Sequence, residues 1–214
     1  MTPSELRSLF DSSTAKHFAE PLPGGVRVRA CSSADEWNEA FARARREAFR
    51  RGEGIDMSRV YTAEENERLT QLNALVGANA LEHKLVFVDG EQIVGCYWGL
   101  QESWGRYYMI ATMIHPSHQG RGVYSAFLAR LIAVIRETGF REIYSRHHPD
   151  NSKILVPKLK AGFLIASFEI TPAFGLLVHL RHPLVDKLRD VYAYRIEATQ
   201  AAAKLEADGI VKRE

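Results

Sequence analysis

The sequence predicts an α+β (mixed α/β) fold, in which a central, mostly antiparallel sheet is flanked by helices, with an extra N-terminal helix and a long C-terminal one. Three observations predict it. Helix-start signals recur through the first third of the chain. A run of strand-like segments joined by tight turns begins near Lys84. One strongly helical segment, Tyr124 to Thr138, interrupts that run and forces a crossover.

Each element has its own signal. Thr2-Pro3-Ser4-Glu5 places a capping Thr before Pro at the first helical position and Glu at the third. Pro21-Leu22-Pro23-Gly24-Gly25 breaks the chain, and Val26-Arg27-Val28-Arg29 alternates like a strand with one wet face. Ser33-Ala34-Asp35-Glu36 opens a second helix through Phe41 to Phe49, with Gly52 and Gly54 as its stop. Thr62-Ala63-Glu64-Glu65 opens a third, with Leu69, Leu72, Leu75 and Val76 on an apolar face. Lys84–Val88 and Gln92–Leu100 flank Asp89-Gly90-Glu91, a hairpin turn, and Arg106–Ile114 follows as a third strand. After the helix at Tyr124–Thr138 come a strand at Glu142–Arg146, a short helix at Lys153–Ala161, and strands at Phe163–Ile170 and Gly175–Leu180. A last amphipathic element runs from His182-Pro183 to Ala207, with Val185, Leu188, Tyr192 and Ile196 on one face. It suits a helix packed on the domain's own surface, with a homodimer contact as the alternative. The expected division is residues 1–20, 26–181 and 182–214.

Bulk properties narrow the function. The 214 residues are enough for one generous domain with terminal additions. A net charge of +2 is too small for a general polyanion binder, so no nucleic-acid partner is expected. Cys31 and Cys96 form neither a metal-ligand spacing nor a disulfide framework, so no metal and a reducing, cytoplasmic setting are expected. No signal-peptide pattern opens the chain, and no apolar stretch has membrane-spanning length.

The most informative segment is Gln119-Gly120-Arg121-Gly122-Val123-Tyr124. Glycines between a strand end and a helix start leave backbone N–H groups bare at the positive end of the helix dipole, which suits a phosphate. The spacing is neither the G-x-G-x-x-G of a dinucleotide fold nor a P-loop. The segment resembles the acyl-CoA-binding sequence Gln/Arg-x-x-Gly-x-Gly/Ala of GNAT-type N-acetyltransferases, with Gln119 and Gly122 in register. A second match lies downstream, where Asn151 precedes Gly162-Phe163 by the spacing that family shows. The resemblance covers Lys84 to Leu180 well and Val26 to Asn79 loosely.

That resemblance implies an acetyl-CoA (or other acyl-CoA) co-substrate and direct transfer to a small-molecule or peptide amine. The pyrophosphate would lie on the amides of Gln119, Gly120, Arg121, Gly122, Val123 and Tyr124. The pantetheine arm would lie between Arg106–Ile114 and Glu142–Arg146, against Met113, Ile114 and Asn151. Two departures stand out. Tyr124 occupies a position where the family has Gly or Ala. Lys158 occupies the position of the family's proton-donating Tyr, where a solvated lysine is the plainer reading, and Pro157 before it should kink or delay the helix. Tyr108 stands where some members carry a Glu base, with ordinary strand packing as its alternative. Tyr107 and Tyr108 must point to opposite sheet faces. Tyr144 and the pair His147-His148 stand where an acceptor would arrive, although a His beside Pro149-Asp150 serves equally as a loop residue. Glu102, Ser103 and Trp104 could hold an acceptor amine or form a plain turn. A non-catalytic acyl-CoA-binding module of the same fold is the alternative function.

Overall fold

The computed structural model describes residues 1–48, 59–77, 80–103, 105–197, 205 and 207–210. In chain order the elements are α1 (Pro3–His17), β1 (Arg27–Ala30), α2 (Ala34–Ala48), α3 (Ala63–Gly77), β2 (Glu82–Asp89), β3 (Gln92–Ser103), β4 (Arg106–Ile114), α4 (Val123–Glu137), β5 (Glu142–His147), α5 (Ser152–Lys160), β6 (Leu164–Thr171), β7 (Gly175–Pro183) and α6 (Asp186–Glu197). The strands form one sheet in the order β1-β2-β3-β4-β5-β7-β6, and only β4 and β5 run parallel. That parallel step follows from α4, since a parallel neighbour needs a crossover. Among the described residues, no helix is long and apolar enough to cross a membrane.

Alternation along the strands feeds two cores. Leu85, Phe87, Tyr97, Tyr107 and Met109 meet α1 and α4 on one face, around Phe10, Phe18, Phe127 and Leu131. Val86, Cys96 and Met113 meet Trp37, Ala40 and Ala44 of α2 on the other. Residues along a strand therefore change core with their parity, except where the register slips, once on β3 at Val94, which joins the α1/α4 core, and once on β4. Trp98 opposes Ala111 and Gly99 opposes Met109, which leaves Ile110 unopposed. This bulge inverts the alternation, so Met109 faces α4 while Met113 faces α2. Composition carries no sign of it.

α1 starts on the predicted capping box. Thr2 N–H donates to Glu5 at 2.7 Å and Glu5 N–H donates to Thr2 Oγ1 at 3.2 Å. The helix is tied in by a buried polar chain. Tyr97 O–H donates to the Tyr107 hydroxyl at 3.2 Å, Tyr107 pairs with His83 Nδ1 at 2.7 Å, and His83 Nε2 pairs with Thr14 Oγ1 at 2.7 Å. Thr14 spends its own proton on Phe10 C=O, so every donor finds an acceptor when His83 is neutral with its proton on Nε2. Burial holds it neutral, pushing its pKa down to about 3.

Several expectations need correction. The C-terminal helix does not start at His182-Pro183, because those residues close β7, opposite Ile143 and Glu142. Pro is tolerated at a strand end, where no ladder N–H is required. The helix begins at Asp186 and is held to its own sheet by Tyr192, whose hydroxyl donates to Glu142 at 2.6 Å. Most of the expected stretch beyond Glu197 lies outside the described residues, as do Phe49, Gly52, Gly54 and Trp104. Leu69 and Leu72 of α3 are 40% and 53% exposed, so those two residues are not buried against the sheet. Pro157 does not delay α5, which runs continuously from Ser152 to Lys160.

Candidate functional site

The site begins where the sheet opens. β4 and β5 pair at only three positions, Arg106 with Glu142, Tyr107 with Ile143 and Tyr108 with Tyr144. Beyond Tyr108 and Tyr144 the two strands have no partner in each other, although β4 continues to Ile114 and β5 to His147. The result is a V-shaped cleft, edged by backbone groups of the two strands.

At the open end lies the glycine loop. Gly120 and Gly122 have φ of 72° and 80°, the left-handed region that other residues enter at a cost. Gly122 is the N-cap of α4 and brings no side chain to cap it, so the first helical N–H groups face outward. A Cβ built on Gly120 meets nothing within 4 Å, so the space before the loop is open. Gln119 does not project into that space. Its Nε2 donates to the Ile114 carbonyl at 2.7 Å and fastens the loop to the end of β4. Arg121 is exposed, and Lys153, from the first turn of α5, reaches Gln119 Oε1 at 3.4 Å. Two cations thus flank the uncapped amides, and Lys153 was missed in the sequence because it belongs to another element. Asn151 is the N-cap of α5 with no capping bond from its side chain.

Val123 and Tyr124 turn inward. Tyr124 packs against the α1/α4 core, and its hydroxyl is buried with no partner among the described residues. Burial raises its pKa. The ring therefore lies beneath the loop and leaves the path over the amides clear.

At the vertex of the V the chemistry changes character. Lys158 is 1% exposed, which overturns the solvated reading. Its Nζ donates to Ser145 Oγ at 2.6 Å and to Met109 Sδ at 3.4 Å. Met109 and Ser145 are the first residues beyond the last β4–β5 pair, one on each strand. The Phe163 ring lies 4.9 Å away. Burial drives the Lys158 amine well below its ordinary range. Ser145 also contacts His147 Nε2 at 2.9 Å. The His147 pKa is pushed down to about 2, first by burial and then by Lys158. His148 is the loop residue of the pair, bonded to Asp150 at 2.7 Å.

The opposite face of the vertex carries an aromatic and charged cluster. Tyr107 points into the α1/α4 core, whereas Tyr108 stacks on Tyr144, with centroids 4.5 Å apart and planes at 12°. Arg146 lies over Tyr108 at 5.1 Å and donates from Nε to its hydroxyl at 3.1 Å. Tyr144 O–H donates to Glu102, itself paired to Arg106 at 3.4 Å. Burial, then Glu102, raises the Tyr144 pKa. Glu169 joins Arg146 at 3.3 Å and His179 at 2.6 Å. Ser145, Met109, Arg146, Glu169 and His179 escaped the sequence reading. Period-two alternation from Ile143 would have flagged Ser145 and His147 as sharing a face. No group of His, Cys, Asp and Glu suited to a metal ion occurs among the described residues.

Comparison with known proteins places this geometry. Residues 35–155, more than half of the chain, match the model of the Acetyltransferase (GNAT) family. No curated protein matches the sequence. Among solved structures, yncA from Salmonella typhimurium with its cofactor acetyl-CoA is similar at 18% identity and TM-score 0.53, covering 75% of this chain and 95% of that one. An N-acetyltransferase from Staphylococcus aureus Mu50 is similar at 17% identity and TM-score 0.54, covering 75% and 99%. Ard1 from Thermoplasma volcanium is similar at 14% identity and TM-score 0.55, covering 75% and 98%. These likenesses are likenesses of fold.

Proposed function

We propose that this chain, which belongs to the Acetyltransferase (GNAT) family, is an N-acyltransferase that moves acetyl from acetyl-CoA to the amine of a small molecule or peptide by direct attack. The observation that carries the reading is the V itself, with uncapped amides and two cations at its mouth and a buried amine at its vertex. The acetyl-CoA bound in yncA supports the choice of co-substrate.

The residues present fit that co-substrate. The amides from Gly120 to Tyr124 would accept the pyrophosphate, with Arg121 and Lys153 adding charge. The free edges of Met113–Ile114 and of β5 would pair with the amides of the pantetheine arm, and Asn151 would contact it. Bound acetyl-CoA supplies an activated acyl carbon and a thiolate leaving group. Transfer to an amine needs a neutral nucleophile, donors for the developing oxyanion and a route for one proton. Backbone N–H groups freed where β4 and β5 part are suited to the second task. Lys158 is suited to the third, and Tyr108 and Tyr144 would line the acceptor's approach from the other face. His147 would act on Lys158 through Ser145.

A thiol-release assay across a panel of amines tests the reading. Turnover well above thioester hydrolysis with at least one amine supports it. Tight acetyl-CoA binding without turnover on any amine favours the non-catalytic binding module. That alternative draws on two residues, Tyr108 where a carboxylate base could stand and Lys158 where a tyrosine could.

A further inference from the structure

Lys158 is placed in an unusual way for a lysine. Its side chain leaves α5, enters the fold completely and ends at the fork, touching the first unpaired residue of each strand. A neutral amine has two N–H donors and one lone pair. Both donors have assigned acceptors, Ser145 Oγ at 2.6 Å and Met109 Sδ at 3.4 Å. The Ser145 hydroxyl, having accepted from Lys158, can give its own proton to His147 Nε2 at 2.9 Å. The three groups then form a satisfied chain with every member uncharged: Lys158 N–H to Ser145 O–H to His147.

The surroundings agree. Lys158 has no ion pair among the described residues, and burial lowers its pKa. The groups facing it are Ser145, Met109, the Phe163 ring and, through Ser145, the uncharged His147. Contact that would favour a cation comes from the Phe163 ring at 4.9 Å and from Ser145 Oγ and Met109 Sδ, which could equally accept from an ammonium. It competes with the loss of water around a fully enclosed charge, which is the larger effect.

We infer that Ser145 holds Lys158 as an uncharged proton carrier at the fork, its lone pair free to take the proton of the attacking amine and pass it to the departing thiolate. This rests on the acyl-transfer reading above. The balance closes without a further reactant. The amine nitrogen bonds to the acyl carbon and becomes positively charged. Lys158 takes one proton from that nitrogen, the carbon–sulfur bond breaks with its electron pair on sulfur, and Lys158 hands the proton to the sulfur. Lys158 ends as it began. A carrier of this kind does not need the ionised acid that a solvated lysine would be. It also explains why the serine is buried: Ser145 is a positioning residue, acting through Lys158.

Two measurements test it. The first needs neither cofactor nor acceptor: NMR titration of 13C-labelled lysine side chains, with Lys158→Arg assigning the signal. Lys158 is expected to be uncharged at neutral pH in the native protein, and a signal that titrates in the ordinary lysine range overturns the inference. The second is the pH dependence of kcat on the best amine of the panel, for the wild type, S145A and S145T. S145A is expected to lower kcat by roughly tenfold or more and to move the acidic limb of the profile, with S145T restoring both and KM for acetyl-CoA little changed. An unmoved limb in S145A overturns the inference. Calorimetry with acetyl-CoA keeps the two readings apart. Loss of cofactor binding condemns the function, whereas binding and turnover with an ordinary Lys158 condemn only the carrier.

Discussion

The mouth and the vertex of the β4–β5 cleft are built on opposite principles. The mouth is made of backbone: uncapped amides of α4 and two left-handed glycines, open to solvent. The vertex is made of side chains brought from three elements: Lys158, Ser145 and Met109, all buried, and His147, half-buried. A backbone site tolerates changes in side chain, since its donors belong to every residue alike. A side-chain site depends on each atom's identity and on the dryness around it. The mouth is therefore expected to govern affinity and the vertex rate, and variants at the two ends should separate those quantities.

The sharpest separation should come from Lys158→Met, which removes the amine and keeps an apolar stem of similar length. Loss of a proton-transfer group lowers kcat by about 10²–10⁴-fold, while calorimetric affinity for acetyl-CoA should change little. Equal loss of both would break the comparison.

A stability control comes next. A Cβ on Gly99 would stand 2.2 Å from the Tyr97 hydroxyl and 2.5 Å from that of Tyr107. Gly99→Ala should therefore destabilise by about 1–3 kcal/mol in urea unfolding, through the polar chain to His83. Acid should strain the same chain. Because the His83 pKa is lower folded than unfolded, its contribution is complete above about 6.5 and falls as pH drops toward about 3. Between pH 6.5 and 5.5 the loss should be about 1 kcal/mol. Replacing His83 with Gln should flatten that slope.

At the mouth, Arg121→Ala and Lys153→Ala should each weaken acetyl-CoA binding by roughly tenfold and leave kcat near its wild-type value. The effect should shrink in high salt, because both cations are at the surface. The smallest effect belongs to Tyr124→Phe. Deleting a buried hydroxyl that has no partner should be neutral or stabilising by up to about 1 kcal/mol, read as a higher Tm. Weakened acetyl-CoA binding would instead mean that the cofactor uses that hydroxyl.

The same contrast explains what could be read from the sequence. Gly120, Gly122 and the helix after them announce themselves because left-handed backbone and an uncapped helix start are local properties. The hairpin at Gly90 and the capping box at Thr2 were legible for the same reason. Lys158 was misjudged, since a lysine beside a proline on a short helix reads as solvated. Its burial is set by the fork, and the fork by a bulge at Ile110 and the early end of β4–β5 pairing. Register is a relation between strands and leaves no mark on either one alone. The link of His147 to Lys158 through Ser145 is hidden for the same reason, since Lys158 reaches it from another element. Of the aromatic and charged cluster proposed to line the acceptor's approach, the sequence singles out Tyr108, Tyr144 and Glu102, while Glu169 and His179 arrive from β6 and β7.

The central claim is that this cleft holds acetyl-CoA with its phosphates on the glycine loop, and isothermal titration of acetyl-CoA into the wild type and Arg121→Ala tests it most directly. Saturable binding by the wild type, weakened in the variant, is the predicted result. No binding at high micromolar acetyl-CoA, or equal binding by the two proteins, would contradict it.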